Sequence, residues 1–162
     1  MKEYLLAKEL EQMAYQNDIQ TLTNIAHAFR AALDQVTHGF ITGAFNKFPK
    51  ECGADACDLL QYYLLNVHAI KSDYRVGKVQ ISPQTPEIAH CYLLVNGIIV
   101  DITADQFHQE WFAKVIVCES NEYPLTPYFK YVRSKSGQTL VPLNDYLESI
   151  YRQVIKVLQA KV

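Results

Sequence analysis

Apolar residues recur at helical spacing toward both ends of this chain and at a spacing of two through its middle. Leu5, Leu6, Leu10, Met13 and Ala14 form one helix-spaced stripe. Leu22, Ile25, Ala26, Phe29, Leu33 and Val36 form a second, and Asn17 or Asp18 is predicted to cap the helix that carries it. Gly39 and Gly43 break the pattern, and a loop runs on through Pro49. A third helix is predicted from about Cys52 to Asn66, with Leu59, Leu60, Tyr63 and Leu64 on its apolar side. From Tyr74 the period changes, and strands are predicted at 74–82, 89–95, 98–103 and 113–118. Pro124, Pro127 and Gly137 mark irregular connections. A closing amphipathic helix carries Leu143, Leu147, Ile150, Tyr151, Val154 and Leu158. The pattern is that of one α+β domain over residues 1–162: mainly helical over 1–66, an antiparallel sheet over 74–118, and a C-terminal helix over 140–160.

The middle of the chain holds the strongest local signal. Asn96-Gly97 between two apolar runs predicts a hairpin, because both residues of a type I′ turn take positive φ. That turn pairs Val95 with Ile98 and Tyr92 with Asp101. One face of the pair then carries Cys91, Leu93, Val95, Ile98, Val100 and Ile102, all apolar and expected in the core. The other carries His90, Tyr92, Leu94, Ile99, Asp101 and Thr103. His90 and Asp101 are diagonal neighbours there, about 7–8 Å apart at the backbone and within side-chain reach. A carboxylate so placed fixes the tautomer of an imidazole and steadies the cation formed when it takes a proton. Asp105, near Asp101, is expected to cap the turn after the strand, or to replace Asp101 if the register slips.

Cys52 supplies a partner chemistry. Pro49 ends an irregular segment, and Gly53, Ala54 and Ala56 then open a helix with the thiol at its first turn. The positive end of the helix dipole there is expected to favour thiolate, and free amides could donate to a developing oxyanion. Cys57 lies roughly 140° further around the helix and points elsewhere. It reads as packing, as do Cys91 and Cys118.

A cysteine opening a helix, then a strand beginning at His90, then Asp101 on the next strand, resembles the papain-like and transglutaminase-like thiol enzyme superfamily. His90-Cys91-Tyr92-Leu93-Leu94-Val95-Asn96-Gly97 followed by Asp101-Ile102-Thr103 is similar to the strand pair of small bacterial transglutaminase-like domains. Those often read His-Ala-Trp-x-x-Val with a following Asp-Pro-Thr; Cys91-Tyr92 stands here for Ala-Trp and Ile102 for Pro. The resemblance covers residues 46–105. It implies a papain-like fold, an antiparallel sheet packed against helices with the nucleophile at a helix N-terminus. It also implies Cys52 as nucleophile, His90 as general base and acid, and Asp101 as the orienting residue. Asn46 takes the place of the oxyanion-hole glutamine that papain-type enzymes carry just before the cysteine. Phe48 and Tyr92 are candidates for lining a substrate groove. The implied activity is cysteine-dependent acyl transfer, by default hydrolysis of an amide bond in a peptidase, amidase or deamidase acting on a protein or peptide. Transamidation, or an inactive member serving as an adaptor or binding module, are the alternatives.

Composition narrows the field further. The 162 residues are 49% hydrophobic, and 15 basic against 17 acidic residues leave a net charge of −2, with no electrostatic footprint for nucleic acid or anionic membrane. No run approaches the roughly 18 apolar residues of a membrane span, and the mixed MKEYLLAKELEQ start lacks a signal-like apolar stretch. Four irregularly spaced cysteines fit neither a disulfide scaffold nor a zinc pair, and His27, His38, His68 and His108 lack partners at metal spacing. No cofactor or metal is expected. A reduced cytoplasm is the expected location, an injected bacterial effector being compatible with the same features.

Overall fold

The computed structural model describes residues 1–108, 110–134 and 142–161, apart from the Asn17 side chain. It is an α+β fold built on a five-stranded antiparallel sheet. The chain opens with a helix α1 (Lys2–Thr37), then α2 (Gly53–His68), and closes with α3 (Asp145–Ala160). Between α2 and α3 run β1 (Asp73–Val79), β2 (Ile88–Val95), β3 (Ile98–Asp101), β4 (Ile116–Glu119) and β5 (Phe129–Ser134), in the spatial order β4-β3-β2-β1-β5.

The hairpin forms in the predicted register, with Val95 opposite Ile98, Leu94 opposite Ile99 and Leu93 opposite Val100. Asn96 (φ 48°) and Gly97 (φ 82°) both take positive φ, as a type I′ turn demands. Cys91, Leu93, Val95, Ile98, Val100 and Ile102 all lie in the main core, against Leu22, Phe29 and Leu33 of α1, Leu59, Leu60 and Leu64 of α2, and Leu147, Ile150 and Val154 of α3. The α3 helix is started by Asn144, whose side chain accepts the Leu147 N–H at 2.8 Å.

Three expectations change. The two N-terminal stripes belong to one continuous helix, since the polar stretch between them holds neither Gly nor Pro, and Asp18 sits inside it rather than at a cap. Its first stripe (Leu5, Leu6, Leu10, Met13) is exposed, and burial begins near Leu22. A fifth strand, β5, pairs with β1 in the stretch after Pro127. Gly77 permits that pairing: a Cβ there would strike the Tyr131 carbonyl and lie 2.8 Å from the Phe129 ring. Strand limits also shift, β3 ending at Asp101 and β4 beginning at Ile116. Gly137 lies outside the described residues.

The second face of the hairpin is covered too. Tyr92 and Ile99 pack with Val79, Ala104, Phe112, Tyr123 and Leu125 in a separate apolar cluster. The chain on either side of β4, through Ala104, Phe107 and Phe112 before it and Tyr123 and Leu125 after it, therefore closes over the side of the sheet that carries His90 and Asp101, and both are fully buried.

Candidate active site

His90 and Asp101 meet as the hairpin register requires. His90 Nε2 lies 2.7 Å from Asp101 Oδ2. The Tyr123 hydroxyl donates to the same oxygen at 2.6 Å, and the Thr103 backbone N–H donates to Oδ1 at 3.0 Å. Burial alone would raise the Asp101 carboxyl. The adjacent His90, the Tyr123 hydroxyl and the Thr103 amide outweigh it and hold the group below its usual value. An ionised Asp101 fixes the proton on His90 Nε2, which leaves Nδ1 as the basic nitrogen. The ring is held edge-on by Phe107, 5.0 Å between centroids.

Nδ1 is occupied. Gln106 Nε2 lies 2.9 Å from it, and with the proton on Nε2 the carboxamide is the donor. Gln106 ends a single 3₁₀ turn (Ala104–Gln106) that follows β3, and its backbone N–H bonds to the Thr103 carbonyl at 3.1 Å. Among the described residues, the hydrogen-bond partners of the His90 ring are Asp101 and Gln106, not the Cys52 thiol.

Cys52 stands at the N-cap of α2, its carbonyl accepting the Ala56 N–H at 2.9 Å. The helix start abuts the histidine network. A methyl group built on Gly53 would lie 3.4 Å from Thr103 Oγ1, 3.5 Å from Gln106 Nε2 and 3.9 Å from the Cys91 backbone nitrogen. The expected depression of the thiol pKa is not found. Burial pushes Cys52 up to about 12, and Asp55 adds to the rise while Arg30 opposes it. A thiol 2% exposed loses more by desolvation than the helix end returns.

The remaining sequence candidates are dispersed. Asn46 is exposed on a 3₁₀ turn (Ala44–Lys47). Phe48 is half-buried with its ring 4.7 Å from the Arg30 guanidinium. Tyr92, 8% exposed and packed 5.0 Å from the Tyr123 ring, lies inside the second apolar cluster. Asp105 neither caps its turn nor replaces Asp101. It takes two hydrogen bonds from Arg30, at 2.8 and 2.9 Å, in a buried ion pair.

Gln106, Tyr123 and Arg30 escaped the sequence reading, which placed Thr103 on the His90 face without giving it a role. Only Arg30 left a signal: it sits at helical spacing from Ala26 and Leu33, a charge on the buried face of α1. Its guanidinium also donates to the Ile102 carbonyl at 2.7 Å and the Lys114 carbonyl at 3.3 Å, tying both ends of the turn beyond β3 to the helix.

No family model, curated protein or solved structure matches the chain. Among the described residues no helix is long and apolar enough to cross a membrane, and no cluster of three or more metal-ligating side chains occurs.

Proposed function

We infer that the chain is a cysteine-dependent acyl-transfer enzyme of papain-like or transglutaminase-like type, hydrolysing an amide bond in a protein or peptide. One observation carries the reading: an ionised Asp101 holds one nitrogen of a buried imidazole and leaves the other, Nδ1, as the base, and the helix start bearing a cysteine packs against the same network. In the reaction the Cys52 sulfur bonds to the substrate carbonyl carbon as its proton passes to His90 Nδ1. The proton then goes to the departing amine as the C–N bond breaks. Water, deprotonated by the same nitrogen, releases the acid and restores the thiol. The amides of the first turn of α2 have no partner within the helix and suit the developing oxyanion.

The conformation described is a closed form of such a site. The thiol is protonated and covered, so turnover requires it to open. A second reading, a binding module in which the His90–Asp101–Tyr123 network only ties strands together, draws on the same buried thiol. Acyl-type electrophilic probes separate the two. The enzyme reading expects Cys52 to be labelled, labelling to vanish in Cys52→Ala and to weaken in His90→Ala. It also expects iodoacetamide at neutral pH to modify Cys52 faster than Cys57, which lies 1% exposed in the core. Equal rates, with no probe labelling, favour the binding module.

A further inference from the structure

We propose that Gln106 is the gate of this site: its carboxamide caps the basic nitrogen of His90, and it must swing away before Cys52 can engage the imidazole. The inference rests on the acyl-transfer reading and names the residue that regulates it.

The backbone of Gln106 is tied in place, and its side chain reaches from that anchor to the imidazole. Its N–H is held by Thr103, and its neighbour Asp105 is clamped by two hydrogen bonds to Arg30. Rotation about its side-chain bonds is the movement proposed. On its inner side the carboxamide touches His90 Nδ1. On its outer side Gln106 lines a cleft of about 350 Å³ with Lys50, Asp105, Phe107, His108 and Glu110. Gln106 thus touches the base and lines the cleft, as does Phe107, and the cleft's Lys50, Asp105, His108 and Glu110 offer the carboxamide polar company on withdrawal.

Thr103 adds an independent observation. Its hydroxyl is buried and has no hydrogen-bond partner among the described residues, and it faces the start of α2 beside Gln106 Nε2. A buried polar atom left unpaired carries a cost, and it gains a partner when another polar group enters the same spot. A substrate carbonyl or a water arriving as Gln106 leaves is such a group.

The test measures alkylation of all four cysteines by iodoacetamide at neutral pH, with peptide mapping, in the intact chain and in Gln106→Ala and Gln106→Met. Methionine keeps the volume without the amide. Cys52 modification relative to Cys118, the most exposed thiol, is expected to rise about tenfold or more as the cost of opening is removed. Cys57 is expected not to change. An unchanged Cys52 ratio overturns the gate, and so does a rise shared by Cys57, which would report general loosening. In the unaltered chain, 15N spectra of the imidazole are expected to show the His90 proton on Nε2 and a bare Nδ1; a neutral ring with its proton on Nδ1 overturns the proposal without any variant. Acyl turnover is a separate readout. A fast Cys52 in Gln106→Met with no acyl turnover keeps the gate and removes the enzyme, whereas turnover without acceleration does the reverse.

Discussion

Arg30 and Asp105, 75 residues apart, join α1 to the turn after β3 through two hydrogen bonds of 2.8 and 2.9 Å, with both side chains buried. The planar guanidinium matches the carboxylate fork, and its remaining donors meet the Ile102 and Lys114 carbonyls and Asp34. This pair sets the position of the 3₁₀ turn, and so of Gln106 and Thr103 beside His90. Arg30→Ala leaves Asp105 buried and unpaired, and is expected to cost about 3–5 kcal/mol in urea unfolding. The double variant Arg30→Ala/Asp105→Ala is expected to lose less than the sum of the two single losses. Additive losses would show that the pair does not act as a unit.

The Tyr123 hydroxyl donates to an ionised carboxylate inside the second apolar cluster. Tyr123→Phe keeps the ring and removes that bond, at an expected cost of about 1.5–3 kcal/mol. Tyr92, the ring beside it, offers a control: its ring packs against those of Tyr123 and Phe129, and the loss in Tyr92→Phe is expected to be smaller. Equal losses in the two variants would argue against a special bond to Asp101.

Because Asp101 is held below its usual value in the folded state, its contribution to stability is complete above the unfolded pKa of about 3.9 and is lost as pH falls through the lower folded value. Unfolding free energy measured from about pH 6 downward is therefore expected to fall more steeply in the parent chain than in Asp101→Asn. Parallel curves would mean that the carboxyl titrates alike in both states.

Gly77 lies on β1 opposite Val132 of β5. Gly77→Ala forces a methyl group toward the Tyr131 carbonyl and the Phe129 ring, an overpacking expected to cost about 1–3 kcal/mol. Amide hydrogen exchange is expected to quicken along β5 (Phe129–Ser134) before the β2–β3 hairpin. Uniform acceleration across the sheet would contradict a local clash.

Much of the scaffold was legible because short-range rules decide it. Asn96-Gly97 has few alternatives to a tight turn, and once it is placed the alternation of Leu93, Val95, Ile98 and Val100 assigns the core face and brings His90 to Asp101. Cys52 was found at a helix start because Gly53 and Ala54 follow Pro49 and an apolar period resumes at Ala56. What the sequence hid depends on long-range burial. The cover over the second face comes from aromatic residues, Phe107, Phe112 and Tyr123, on irregular chain without a period. β5 alternates weakly because its residues lie mostly in solvent at a sheet edge. The thiol pKa went the other way because dipole arguments speak of helix ends in water, and this end is buried. Gln106, one polar residue in a turn, carried no local mark of facing an imidazole.

The most direct test of the account is peptide-level mass spectrometry after reaction with an activated ester. A single acyl group on the peptide bearing Cys52, decaying as product forms and absent from Cys52→Ala, is the result expected of Cys52 as nucleophile with His90 as its base. Acylation that leaves Cys52 untouched, or that spreads over Cys118 with an equal rate in His90→Ala, would contradict it.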